Sequence, residues 1–130
     1  IKFDGSFETF DLKERIFWLS AHDDGSLFVG KETSGVEKYN IKSIDKGAID
    51  KYLSNYSVTS VFIDKEGGKW FSTMENGVFY LANEGFYSYN SSDGLSGNNV
   101  KSIEIFDNKL YLGLSNNAFN YIENIKGLSR

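Results

Sequence analysis

The 130-residue chain has no cysteine and no proline, and it carries one histidine and one methionine. Without cysteine there are no disulfides and no thiolate metal sites, and a lone His22 leaves too few nitrogen ligands for zinc. Without proline, tight turns fall to the 13 glycines and to Asn and Asp. No apolar run approaches the roughly 18 residues of a membrane helix, so direct membrane insertion is not expected. The start at Ile1 lacks the charged and apolar regions of a signal peptide, and it reads as cut from something longer. Basic residues are scattered, with 14 Lys and Arg against 18 Asp and Glu, a net charge of −4. A nucleic-acid backbone therefore finds no stripe to hold.

What is present is aromatic. Phe (11) and Tyr (8) dominate a 16% aromatic share within a 40% hydrophobic chain, a composition suited to strands packed face to face. Self-comparison finds an internal repeat of about 42 residues. Ile16, Val58 and Val100 align, followed by Leu19, Val61 and Ile103, then Ala21, Ile63 and Ile105. Asp24-Gly25 matches the turn Glu66-Gly67, Phe28-Val29-Gly30 matches Trp70-Phe71-Ser72, and Gly35-Val36 matches Gly77-Val78. The third unit has a tighter hairpin at Asp107-Asn108, then Tyr111-Leu112-Gly113, with Asn117-Ala118 at the Gly-Val position. Asn is the non-glycine residue best able to take the left-handed conformation that glycine supplies there.

Each unit reads as strand a, hairpin turn, strand b, short loop and strand c, followed by an outer strand d. Phe86–Tyr89 is the clearest strand d, and Ser43–Tyr52 fills that slot less regularly. Across Lys46–Tyr56, Ala48, Ile49, Tyr52 and Leu53 also fit one or two helical turns. Gly5–Phe10 resembles the outer strand of a preceding unit. The expected fold is all-β, a partial β-propeller of about three four-stranded antiparallel blades. Its expected parts are an outer strand in 1–14, blades at 15–56 and 57–98, and an incomplete blade at 99–130. Phe28, Trp70 and Tyr111 occupy one position of strand b and are expected to pack between blades. Gly25, Phe28, Gly30, Gly35, Asp64, Gly67, Trp70, Gly77 and Gly113 form the structural repeat.

The run Val58–Thr73, continuing to Asn76-Gly77-Val78, resembles the two-component regulator propeller repeat, as does the linker Asp93–Val100. That resemblance implies an extracytoplasmic, periplasmic sensor region of a Bacteroidetes hybrid two-component system that recognises glycan-derived ligands. It implies partners of two kinds, an oligosaccharide ligand and either the remaining blades of a parent protein or a second copy of the chain. The turn from Asp64 to Trp70 also resembles the Asp-box hairpin of sialidase-like propellers, a structural element that carries no activity with it.

Chemistry is sparse. His22 stands where the second unit has Asp64 and reads as a turn residue, without a nucleophile to serve. Asp23 with Asp24, and Asp64 with Glu66, could be read as acid pairs of a glycosidase or as Ca²⁺ ligands. Their recurrence at equivalent turns is what hairpin chemistry itself produces. No catalytic residue, cofactor or metal is expected, and the chain itself is read as a non-enzyme. Ligand contacts are expected at the end that gathers the b–c loops and the d–a connections, from Glu32, Met74, Glu75 and Asn116, with Trp18 as an aromatic platform. Asp93, Ser96 and Asn98 of the d–a connection lie at the same end. Two other readings stand beside the sensor: a structural or protein–protein segment that mediates dimerisation, and the non-catalytic part of a propeller enzyme acting on glycans.

Overall fold

The computed structural model describes residues 5–82 and 85–123. Three antiparallel sheets follow one another along the chain. The first contains β1 (Ile16–Ala21), β2 (Ser26–Lys31), β3 (Val36–Asn40) and β4 (Asp50–Tyr52). The second contains β5 (Val58–Ile63), β6 (Lys69–Thr73), β7 (Val78–Ala82) and β8 (Gly85–Tyr89). The third contains β9 (Val100–Phe106), β10 (Lys109–Leu114) and β11 (Phe119–Ile122). In each sheet, neighbours in sequence are neighbours in space, the meander of a propeller blade.

The turn residues explain the meander. Gly25 and Gly67 take φ of 83° and 86° in the a–b hairpins, while Asp107 and Asn108 take 52° and 59° as a two-residue turn with both φ positive. Asp64 organises its hairpin with one carboxylate. Oδ1 accepts from the backbone N–H of Glu66 (3.0 Å) and Gly68 (2.8 Å), and Oδ2 accepts from Trp70 Nε1 (3.2 Å). At the b–c turns Gly35 and Gly77 have φ of 75° and 74°. In the third unit the Leu114 N–H donates to the Ala118 carbonyl as those of Lys31 and Thr73 donate to Gly35 and Gly77, so Ala118, and not the expected Asn117, stands at the glycine position, and the positive φ of 66° falls one residue earlier at Asn117.

Residues directly opposite in a ladder share a face of the sheet. Phe28 and Trp70 therefore face the following sheet, Phe71 and Leu112 face the preceding one, and Val29 lies on the leading face of the first sheet. Between sheets one and two, fully buried Phe28, Val36, Val58 and Phe71 form one core. Between sheets two and three, Trp70, Val78 and Tyr80 pack against Val100, Ile103, Leu110, Leu112 and Leu114. Polar bonds repeat across both junctions. Trp18 Nε1 donates to the Val58 carbonyl (2.8 Å), and Thr59 Oγ1 donates to the Val100 carbonyl (2.5 Å). The N–H groups of Gly35 and Gly77 donate to the carbonyls of Tyr56 (2.9 Å) and Asn98 (2.8 Å).

Three expectations change. Gly5–Phe10 carries no strand: residues 5–12 have no regular structure, and no strand c precedes them among the described residues for an outer strand to pair with. The stretch before the second blade divides into a 3-10 turn at Ile41–Lys46 and the three-residue β4. Asn40 starts the turn by accepting from the Lys42 N–H (2.9 Å), and Gly47 ends it. Tyr111 is only half-buried and lies beside Tyr121 (6.0 Å between ring centroids), because no described sheet covers its face. The buried residues of β10 are Leu110, Leu112 and Leu114.

A Cβ on Gly77 would lie 2.0 Å from the Tyr89 carbonyl oxygen, on top of its positive φ. Gly77→Ala is expected to lower stability by about 2–4 kcal/mol, combining left-handed strain with displacement of β8. Asn117→Gly is expected to change it by less than about 1 kcal/mol. Urea unfolding followed by tryptophan fluorescence measures both, and equal losses would remove the distinction drawn between the two turns.

Candidate functional site

The b–c loops and the d–a connections meet at one end of the stack through backbone bonds that repeat. The N–H groups of Glu32, Met74 and Ser115 donate to the carbonyls of Arg15 (2.9 Å), Ser57 (3.0 Å) and Asn99 (3.1 Å). Asn116 Nδ2 reaches the Ser96 carbonyl at 2.9 Å, and Asn120 Oδ1 accepts from both the N–H (2.9 Å) and the hydroxyl (3.0 Å) of Ser96. This end is polar and held on rigid strands, the placement typical of binding loops. Asn98 is spent inside its connection, bonded to the Ser91 N–H and hydroxyl, and Asp93 caps the short turn after Asn90. Asn99 Oδ1 is buried with no hydrogen-bond partner among the described residues, a cost that a native structure normally avoids.

The expected ligand residues divide. Glu32, Met74, Glu75 and Asn116 all lie in loops at this end. Glu75 is exposed, Met74 is half-buried, and Glu32 is paired with Arg15 at 3.1 Å. Trp18 stands apart from them. Its indole lies over Gly30, where a Cβ would come within 2.1 Å of the ring, and its N–H is used between sheets. His22 is bonded to Ser20 Oγ (3.1 Å) and sits edge-on to Phe28, with ring centroids 5.1 Å apart. Asp24 accepts from the N–H and hydroxyl of Ser26, and Asp64 is occupied by its own hairpin, so both acids serve their turns. No group of three or more His, Cys, Asp or Glu among the described residues could hold a metal.

A charged cluster on the leading face of the first sheet escaped the sequence reading. Lys31 Nζ bonds Glu37 Oε1 at 2.9 Å and lies 3.9 Å from Glu14, and Lys51 approaches Glu37 at 3.8 Å. The Tyr39 hydroxyl donates to the other Glu37 oxygen. The side chains of Lys31 and Glu37 are 12% and 10% exposed, so this is not a solvated surface pair. Burial alone would raise the Glu37 carboxyl, but the bonds from Tyr39 and Lys31 and the charges of Lys31 and Lys51 hold it below its ordinary value. Burial, with Glu37 beside it, pushes the Tyr39 phenol up to about 12. Glu14 takes bonds from the Ser34 hydroxyl and the Thr33 N–H and hydroxyl, which lower its carboxyl to about 2. Only cross-strand register joins these residues. Glu37 pairs directly with Lys51, a link invisible in sequence spacing.

A cleft of about 380 Å³ opens between the second and third sheets. Its walls are Tyr89 and Leu95 on one side and Asn120 and Ile122 on the other, with Asp93 at the rim. Burial raises the Tyr89 phenol, and the Asp93 charge adds to it.

The architecture is that of a partial β-propeller. No known family profile matches the chain, and no curated protein matches it in sequence. Solved structures do. The extracellular domain of a putative hybrid two-component system from B. thetaiotaomicron aligns with a TM-score of 0.69 at 16% identity, over 95% of this chain and 18% of that one. PorZ, an essential surface component of the type-IX secretion system of Porphyromonas gingivalis, aligns at 0.64 and 21% identity, over 80% of this chain and 17% of that one. A virginiamycin B lyase from Staphylococcus aureus aligns at 0.53 and 14% identity, over 83% of this chain and 41% of that one. These likenesses are of fold, and the chain spans less than a fifth of the length of the first two. Among the described residues no helix is long and apolar enough to cross a membrane.

The carboxylate shifts have a definite sign. Glu14 and Glu37 are both lowered in the fold, so their contribution is complete above the ordinary value of 4.5 and is lost as pH falls through the folded value, about 2 for Glu14. Stability is expected to decline between pH 4.5 and 2, and Glu14→Gln with Glu37→Gln is expected to flatten that decline. Urea midpoints across this range test it, and an unchanged slope in the double variant would contradict it.

Proposed function

We propose that the chain is a recognition module, a piece of an extracytoplasmic sensor region of a hybrid two-component system, and not a catalyst. The observation that carries this reading is the gathering of all three b–c loops and the d–a connections at one polar end of a rigid sheet stack. Glu75, Asn116 and Ser96 are exposed there, and Met74 lies half-buried beside them. The fold likeness to the extracellular domain of a two-component system supports the class. The ligand we assign is a neutral oligosaccharide, because amide and hydroxyl groups with isolated acids suit sugar hydroxyls better than they suit anions. Asn99 Oδ1, buried beneath this surface without a donor among the described residues, adds an acceptor that a bound water could relay to the ligand.

Isothermal titration calorimetry with defined plant and host oligosaccharides tests the reading. At least one is expected to bind, and Glu75→Ala or Asn116→Ala is expected to weaken it about tenfold, near 1.4 kcal/mol. Trp18→Phe, which alters a contact between sheets, is expected to lower stability while leaving affinity within about twofold. Binding that is insensitive to both loop variants, or turnover of the sugar, would sink the proposal.

A further inference from the structure

At the loop end the junction between the first and second sheets is tied twice by a single residue. The Ser57 carbonyl accepts from the Met74 N–H (3.0 Å), and the Ser57 hydroxyl donates to the Glu32 carbonyl (2.6 Å). Ser57 thus holds the b–c loops of two successive sheets. Asn99 stands one repeat on, at the junction between the second and third sheets. Its carbonyl accepts from the Ser115 N–H (3.1 Å), as that of Ser57 does from Met74. The second tie is missing. Among the described residues the Asn99 side chain makes no hydrogen bond, and its Oδ1 is buried without a donor. The residue is not loose. The carbonyls of Asn98, Asn99 and Val100 are each bonded, to the Gly77 N–H, the Ser115 N–H and the Thr59 hydroxyl. The side chains of Asn98, Asn116 and Asn120 spend bonds on the d–a connection around it, to Ser91 and Ser96. Fixed main chain therefore presents one amide that the fold leaves unused.

We propose that Asn99 is the residue that selects the ligand, through a subsite that demands a hydrogen-bond donor, and that a sugar hydroxyl fills it. The proposal rests on the oligosaccharide reading and adds to it the group that discriminates. Oδ1 accepts and cannot donate, and the repeat places the Met74 carbonyl beside it, where the Glu32 carbonyl lies beside Ser57. Two acceptors on fixed main chain match the paired donors of a vicinal diol. A carboxylate or phosphate brings acceptors only, and an apolar group leaves Oδ1 desolvated and unpaired. Rejection by a buried polar group left unpaired is stronger than rejection by shape alone. The free protein carries the cost of this arrangement, as functional sites commonly do at the expense of stability. Serine closes the first junction from within, and the second stays open until a ligand hydroxyl arrives. Occupancy then supplies the tie that this junction lacks, between the b–c loop of the second sheet and the start of β9.

The test pairs a variant with its reciprocal in the 130-residue chain. Asn99→Ser gives the second junction the residue of the first. It is expected to raise the urea midpoint, because the hydroxyl can donate to the Met74 carbonyl and no buried acceptor is left over. Calorimetry with maltohexaose, xylohexaose and chitohexaose reads the other half. Asn99→Ser is expected to weaken, by about fivefold, whichever of these binds the unaltered chain. Ser57→Asn is expected to lower the urea midpoint and to leave affinity within about twofold. A residue that only supported the fold would move stability and affinity in the same direction, so opposite movement is the signature. A midpoint for Asn99→Ser at or below that of the unaltered chain would overturn the proposal, since the amide would then be spent within the fold. If none of the three sugars binds the unaltered chain, the oligosaccharide reading fails and the subsite falls with it. Binding that Asn99→Ser leaves untouched sinks the subsite alone.

Discussion

Everything in this molecule depends on how one sheet seats against the next. Strand b of each unit carries two adjacent residues that point to opposite sides: Phe28 and Val29, Trp70 and Phe71, Tyr111 and Leu112. In the second sheet Trp70 enters the junction ahead and Phe71 the junction behind, whereas Val29 and Tyr111 lie on faces that no described sheet covers. Because side chains alternate with a period of two, a one-residue slip in strand b would send both to the wrong junction. The fully buried rings of Phe28, Trp70 and Phe71 make such a slip costly, each worth on the order of 3 kcal/mol when removed. The polar ties across the junction are directional and point to main chain, at the carbonyls of Val58 and Val100 and those of Tyr56 and Asn98. They tolerate a change of side chain on the acceptor but not a change of register.

That division of labour leaves the loop end free to carry function. Exposed Glu75 and Asn116 can vary without touching a core residue, since the backbone N–H groups of Met74 and Ser115 hold those loops in place. The leading face of the first sheet departs from the rule in its outer half. Lys31, Glu37 and Tyr39 occupy the positions that Thr73, Phe79 and Leu81 hold in the second sheet, so an ionic network stands where the next sheet has a largely apolar patch. A network of this kind stabilises little in net terms but strongly penalises an uncompensated change, which narrows what can lie against that face.

Much of this was legible in sequence because repetition turns weak local signals into a strong one. A single Gly-Val pair says little, but Gly35-Val36 and Gly77-Val78 at one phase define the b–c turn with matching φ, and in the third unit the left-handed residue, Asn117, is displaced by a single position. The d strands were read less well. Strand β4 has three residues and follows a 3-10 turn, because an outermost strand makes one ladder and needs little intrinsic preference. Residues 5–10 carry a similar pattern without a strand, since pattern does not supply a partner. Tyr111 shows the same limit: the repeat identifies its role but not whether a neighbouring sheet is there to fulfil it. Of the site, the loop residues were visible from topology. The Glu14, Lys31, Glu37 and Lys51 cluster was not, because it joins three strands and a connection.

The b–c turns carry one further constraint. The N–H groups of Lys31, Thr73 and Leu114 donate to the carbonyls of Gly35, Gly77 and Ala118, so Ala118 stands where the first two units have glycine. At Gly35 and Gly77 a positive φ coincides with a fourth-strand carbonyl so close that a Cβ would lie 2.2 Å and 2.0 Å from the oxygens of Tyr52 and Tyr89. In the third unit the positive φ, 66°, falls one residue earlier, at Asn117. The chain therefore enters β11 by a different backbone path, in which the residue before the strand is not left-handed and carries a side chain. Turn chemistry sets the residue type and ladder register sets the position, and the two part here by one residue without changing which residues of β11 face β10.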